Sequence, residues 1–338
     1  MTADARPTVV LTHWVHGDVV DLLAARCRVV ANETRDTLPP AEVLRRARDA
    51  DALMAFMPDA VDDAFLSACP RLRVIGAALK GYDNFDAAAC GRRGVWLTVV
   101  PDLLTEPTAE LAVALALGLM RNVAAGDRVV RSGAFAGWRP ILYGAGLTGA
   151  TVGYVGMGTV GRATARRLAA FGTRGVYHDP APLPADAEAR LPLRRAALDD
   201  VLAAADVLIV AAPLTPQTKH LIGVAALARL RPGAYVVNVG RGSVVDEAAV
   251  ADALATGRLA GYAADVFEFE DWARGDRPRH VEPRLLAMPA RTLFTPHLGS
   301  AVDAVRRDIA LSAARSILQA LDGHTPDGAV AGPGPFTK

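Results

Sequence analysis

The chain has 338 residues, 51% of them hydrophobic and 22% charged, which is apolar mass enough for about two domains. Its 37 Lys and Arg against 36 Asp and Glu give no basic excess, which argues against nucleic acid as a partner. The longest apolar run, Leu111 to Met120, is ten residues, too short to cross a bilayer, so no membrane association is expected.

The N-terminus passes from Arg6-Pro7 into TVVLTH without the order of a secretion signal, so a cytoplasmic location is expected. Further apolar runs follow as ALMAFM, RVIGAAL and VWLTVV, separated by the helical patterns DVVDLLAARC, PAEVLRRARDA and VDDAFLSAC. This alternation predicts parallel βαβ units. Cys27, Cys69 and Cys90 are odd in number and widely spaced, which suits buried thiols in a reducing compartment rather than disulfides or a metal site. One long apolar helix is predicted over TAELAVALALGLMRNVAAGDRVVRSG, with Pro107 in its tolerant first turn. After a loop containing Trp138 and Tyr143 comes a second alternating series: TVGYVG, GVYHD, VLIVAA, AYVVNV, GYAADVF and TLFTPH. A final amphipathic helix carries Ile309, Ala313, Ile317 and Leu321 on one stripe, and a Gly/Pro-rich tail ends the chain.

Gly156, Gly158 and Gly161 form G-x-G-x-x-G between a predicted strand and a predicted helix. Such glycines permit a tight turn, close approach of a pyrophosphate and close helix–strand packing. Asp179 ends the next strand, where an acid bonds the adenosine ribose and repels a 2′-phosphate. NAD is therefore the expected cofactor. Three later strand ends offer Arg241, then Asp265, Glu268 and Glu270, then His297. A histidine paired with a carboxylate is a tuned acid/base, and an arginine clamps an oxyanion. Lys80, at the end of the apolar run VIGAAL, stands beside Gly81, as a cation placed for an anionic substrate would.

These stretches resemble the D-2-hydroxyacid dehydrogenase family from about residue 7 to about residue 325: YDNFD (82–86), PTAELAVALALGLMR (107–121), GYVGMGTVGRATARRL (153–168), VNVGRGSVVDEAAVADAL (237–254), AADVFEFE (263–270) and TPHLGSA (295–301). The resemblance implies an α/β fold of two doubly wound parallel-sheet domains, with a Rossmann NAD domain inserted in a flavodoxin-like substrate domain. Residues 1–103 would start the substrate domain and 104–297 would form the NAD domain with its hinge helix. Residues 298–325 would return to the first domain, leaving 326–338 as a flexible tail. Arg241, Glu270 and His297 would be catalytic. Thr108, Gly156, Gly158, Thr159, Val160, Gly161, Asp179, Pro213, Val239, Gly240, Asp265, His297 and Gly299 would hold NAD. A homodimer is implied, and Trp138 and Tyr143 would close either the chain's own site or the partner's.

One branch of that family, the phosphonate (phosphite) dehydrogenases, is resembled more closely by MAFMPD (54–59), ALKGYDNFD (78–86), GVWLTVVPDLLT (94–105), DVFEFEDWAR (265–274) and RPR (277–279). Lys80 stands where most members lack a lysine, and Asp271-Trp272 replaces the usual acid-proline. Gly240 and Asp179-Pro180 depart from the branch, which has a cysteine and Glu-Ala there. The expectation is oxidation of phosphite by NAD, with Lys80, Gly81, Met57, Arg241, Ser300 and Arg306 around the anion. The alternative is an ordinary D-2-hydroxyacid dehydrogenase or 2-ketoacid reductase. A less favoured third is a non-catalytic NAD-sensing regulator.

Overall fold

Apolar residues run without a break through most strands, because parallel strands are covered on both faces. The computed structural model describes residues 6–100, 102–184, 188 and 190–333. They fall into two compact units.

The first unit takes the described residues up to Leu104, Trp272–Gly275 and those from Ala301 onward. Its strands are β1 (Thr8–Leu11), β2 (Arg28–Val30), β3 (Ala52–Ala55), β4 (Val74–Ala77) and β5 (Trp96–Thr98). They lie parallel in the order 2-1-3-4-5, the flavodoxin-like winding. Val9 and Leu11 point to one face, where helices Gly17–Ala24 and Asp303–Leu321 cover them; Val10 points to the other, under helices Asp63–Ala68 and Ala87–Arg92. Asp62 and Asp86 cap the latter two helices by accepting from the Phe65 and Ala89 N–H groups. Ile309, Ala313 and Ile317 of the predicted stripe are buried as expected. All three cysteines are buried free thiols.

The expected loose tail needs correction. Residues Ala329–Ala331 pair antiparallel with β5 as an edge strand, and Asp327 bonds to Gln319. Residues 334–338 of that tail lie outside the described residues.

The second unit spans Thr105–Asp271 and Asp276–Ser300. Continuing the numbering, its strands are β6 (Thr151–Val155), β7 (Arg174–His178), β8 (Leu193–Arg195), β9 (Val207–Val210), β10 (Ala234–Asn238), β11 (Leu259–Ala264) and β12 (Thr292–Phe294). The order 12-11-10-9-6-7-8 is all parallel and reverses between β6 and β9, as in a Rossmann sheet with one added strand. Helices Thr105–Met120 and Thr159–Ala169 cover one face; Leu198–Ala204, Val224–Arg229 and Glu247–Ala255 cover the other. The long helix expected after residue 104 is two helices, Thr105–Met120 and Val123–Arg131, bent by 64°. Asn122, in the left-handed region at φ 54°, makes the break, as a residue tolerant of that conformation can. Among the described residues, no single helix is long and apolar enough to cross a membrane.

Candidate active site

Open parallel sheets bind ligands beyond the carboxyl ends of their strands, at the point where strand order reverses. In the second unit that point is β6/β9, and the glycine-rich turn leaves β6 there. Gly156 sits at φ 91°, and a Cβ on it would meet the Ala212 nitrogen at 2.7 Å. A Cβ on Gly161 would meet the Gly156 carbonyl oxygen at 2.3 Å, so the helix can start only against a bare backbone. Gly158, the N-cap of helix Thr159–Ala169, faces open space. Asp179, just beyond β7, folds over the turn: Oδ2 accepts from the Met157 N–H at 2.7 Å and Oδ1 from the Ala181 N–H at 2.9 Å. An open helix N-terminus, a side-chain-free turn and a carboxylate at the second strand fit a dinucleotide. Thr159 receives a hydrogen bond from the Thr105 hydroxyl, Val160 packs on the core, and the Pro213 carbonyl accepts from Thr218.

Three neighbouring strands deliver the ionisable set. Beyond β10, buried Asn238 braces the next turn, donating to the Arg241 carbonyl at 2.9 Å and accepting from the Gly240 N–H at 3.1 Å. Val239 is buried, and a Cβ on Gly240 would strike the Ala212 carbonyl at 2.5 Å. Beyond β11, a short 3-10 turn, Glu268–Glu270, presents Glu270. Its Oε1 accepts from the Phe267 N–H at 2.8 Å, and its Oε2 lies 3.0 Å from His297 Nδ1. Beyond β12, His297 adopts φ 55°, held by its N–H to the Asp265 carbonyl at 2.9 Å.

Asp265 builds the turn that carries His297. It is 2% exposed and accepts from the Thr295 hydroxyl, the Leu298 N–H and the Gly299 N–H at 2.6, 2.6 and 2.8 Å. Burial pushes its carboxyl up, against those bonds and the nearby imidazole. A Cβ on Gly299 would lie 3.1 Å from Thr108 Oγ1 and 3.2 Å from Asp265 Oδ2, which brings Thr108, Asp265 and Gly299 together. Ser300 follows, half-buried. Glu268 does not join the set. It pairs with His220 at 2.8 Å and exchanges side-chain-to-backbone bonds with buried Glu247.

In the first unit the strand order reverses between β1 and β3. Met57 lies just past β3, half-buried. Lys80 and Gly81 lie past β4, with Lys80 Nζ 3.6 Å from Asp102 and the lysine side chain 39% exposed. Arg306, near the start of helix Asp303–Leu321, stacks its guanidinium 5.7 Å from the Phe56 ring. Trp138 and Tyr143, on the loop after helix Val123–Arg131, are 82% and 76% exposed.

Sequence reasoning missed two features. Arg195 of β8 donates to the Asp179 and Pro180 carbonyls at 3.0 and 2.9 Å, so an arginine does approach this acid, from sixteen residues away. At the β1/β3 reversal, Thr12 donates its hydroxyl to Asp59 at 2.5 Å and lies 3.0 Å from His13 Nδ1. In the sequence His13 is only the last letter of TVVLTH, and Asp59 the last of MAFMPD.

That pair titrates in opposite senses. Burial and the Arg306 charge hold His13 down at about 4 from its ordinary 6.5; burial pushes Asp59 up to about 6 from 3.8. Below 6.5 the unfolded chain takes a proton on His13 that the folded chain refuses until about 4, so this term loses stability on acidification. Asp59 gains a proton in the folded state first, so its term adds stability between about 6 and 3.8. The two largely offset. His13→Asn removes the first alone and is expected to gain on the parent by on the order of 3 kcal/mol between neutral pH and pH ~4. Melting curves across that range check this; a pH-independent difference between the two proteins refutes it.

Comparison with known proteins agrees with this construction. Residues 113–299 match the family model described as D-isomer specific 2-hydroxyacid dehydrogenase, NAD binding domain. A glyoxylate reductase from Thermofilum pendens is 35% identical over 326 residues, 95% of this chain and 94% of that protein. One from Pyrococcus furiosus is 34% identical over 95% and 94%. Among solved structures, the TT0316 protein of Thermus thermophilus superposes with a TM-score of 0.86 at 35% identity, covering 96% of this chain and all of that one. An NADPH-dependent glyoxylate/hydroxypyruvate reductase of Sinorhizobium meliloti, solved with NADP and malonate, gives 0.83 at 30% identity and 99% of both chains. With its Rossmann unit, its dinucleotide turn and its Arg, Glu and His at adjoining strand ends, the chain belongs to the D-isomer-specific 2-hydroxyacid dehydrogenase family and is an NAD-binding oxidoreductase.

Proposed function

We propose that this chain oxidises phosphite to phosphate with NAD. The observation that carries the reading is Lys80, a cation at the carboxyl end of β4 beside Gly81, within stretches that resemble the phosphonate dehydrogenase branch. Phosphite has no carbon skeleton to grip, so charge must bind it. Lys80 would supply a compact, mobile ammonium, and Arg241 a planar fork of donors. His297 Nδ1 is committed to Glu270, which leaves Nε2 to take a proton from the attacking water. The P–H bond breaks as the new P–O bond forms, and the water's proton passes from Nε2 to solvent. NAD, held at the glycine-rich turn Gly156–Gly161 and by Asp179, would supply the hydride acceptor.

A second reading, reduction of glyoxylate or a related 2-keto acid, is the one favoured by the names of the curated relatives, glyoxylate reductases. The same Arg241 would take the carboxylate and His297 would protonate the carbonyl. NADH formation with phosphite, set against NADH consumption with glyoxylate, separates the two. Under the first reading, Lys80→Ala lowers kcat/KM for phosphite by roughly ten- to a hundredfold, the cost of one charged hydrogen bond. Glyoxylate turnover with no phosphite turnover overturns that reading and leaves the second.

A further inference from the structure

The two turns that carry Arg241 and Glu270 are tied together by a buried pair that the proposed chemistry does not use. Asp271 is 2% exposed and Ser243 fully buried. Asp271 Oδ2 accepts from the Ser243 backbone N–H at 2.6 Å and also from the Ser243 hydroxyl. Ser243 lies two residues after Arg241, and Asp271 one after Glu270. A carboxylate is a costly filling for a buried corner. What it adds over an apolar side chain is a pair of directed bonds between segments 28 positions apart. Asn238 already fixes the Arg241 carbonyl from the strand side. Asp271 fixes the same turn from its far side, at Ser243.

We propose that Asp271 is a positioning residue, which by holding Ser243 registers the Arg241 turn against the Glu270 turn and, through Glu270, against His297. The proposal rests on Arg241, Glu270 and His297 being the reacting set. Small misplacement of such groups is expensive, since displacement by about 1 Å can cost about a hundredfold in rate.

The test compares Asp271→Ala, Asp271→Asn and Ser243→Ala with the parent by kcat, KM, NAD affinity and melting temperature. Phosphite and glyoxylate are both assayed, so a parent active only on glyoxylate overturns the substrate reading while the variant series proceeds on glyoxylate. Should the parent turn over neither, oxalate affinity of the NADH complex replaces turnover as the readout of Arg241. Asp271→Ala is expected to lower kcat/KM about thirtyfold, in kcat and KM together, with NAD affinity unchanged. Asp271→Asn should recover most of that, because its amide oxygen, in the place of Oδ2, still accepts from both the Ser243 N–H and the Ser243 hydroxyl. Ser243→Ala should lose less than Asp271→Ala and add nothing to it in the double variant. If Asp271→Ala fails to fold, the Asn and Ser243 variants carry the same comparison. A fall in melting temperature with kcat/KM unchanged, or an Asn variant no better than Ala, overturns the proposal.

Discussion

His297→Asn is expected to lower kcat/KM by roughly a hundred- to ten-thousandfold, the usual worth of a positioned acid/base, while leaving the melting temperature close to the parent's. The choice of asparagine follows from the backbone. His297 holds φ 55°, a conformation that costs an ordinary L-residue about 1–2 kcal/mol and that Asn tolerates. Alanine would mix loss of the imidazole with backbone strain in the turn that Asp265 braces. Glu270→Gln isolates the partner: it keeps a hydrogen-bonding group facing Nδ1, now 3.0 Å from Oε2, but removes the charge. Its loss should be smaller than that of His297→Asn. Steady-state kinetics with a parallel NAD titration check both. A His297→Asn enzyme within about threefold of the parent would remove His297 from the acid/base role that its pairing suggests.

Gly242→Ala should damage both stability and activity. A Cβ there would fall 1.9 Å from the Phe267 carbonyl carbon, 2.1 Å from its oxygen and 2.3 Å from the Glu268 nitrogen. These are backbone atoms, so no rotamer change relieves the overlap. The arginine turn or the glutamate turn must move. Overpacking against rigid atoms costs about 3 kcal/mol or more, which for a unit of this size lowers the melting temperature by roughly 6–12 °C. Whatever folds should bring Arg241 and Glu270 back in the wrong register, so kcat/KM should fall further than the stability loss accounts for. Calorimetry and kinetics on the same preparation test this. An alanine variant with parental melting and parental activity would mean that the two turns are not held in contact.

Much of the fold is legible because parallel sheets write themselves as buried apolar runs spaced by helical patterns. The dinucleotide turn is legible because three glycines answer three separate steric demands in one short segment. Arg241, Glu270 and His297 stand out because each follows such a run. The rest is hidden for physical reasons. Strand β8 (Leu-Arg-Arg) is short, polar and at an edge, so it has no apolar signature. The edge strand at Ala329–Ala331 sits in a segment whose composition reads as a loop. The break at Asn122 depends on one residue's backbone, not on periodicity. The Asp271–Ser243, Arg195–Asp179 and Thr12–Asp59 bonds each join residues far apart in the chain, and no local pattern encodes a side chain's distant partner.

The helix Asp303–Leu321 has a consequence for the order in which the chain matures. Its Ile317 seats directly on Gly76 of β4, where a Cβ would lie 2.7 Å from the isoleucine side chain. It thereby covers Val9, Leu11, Met54 and Val74 on one face of the first sheet. The ribosome makes those strands early and their cover late, with the whole second unit in between. At 5–20 residues per second, the interval from Leu104 to Leu321 lasts roughly 10–45 s. The unit begun second can therefore complete its core first, while the unit begun first waits with that face covered only by helix Gly17–Ala24 and the rest of it open to the chaperones of the nascent chain.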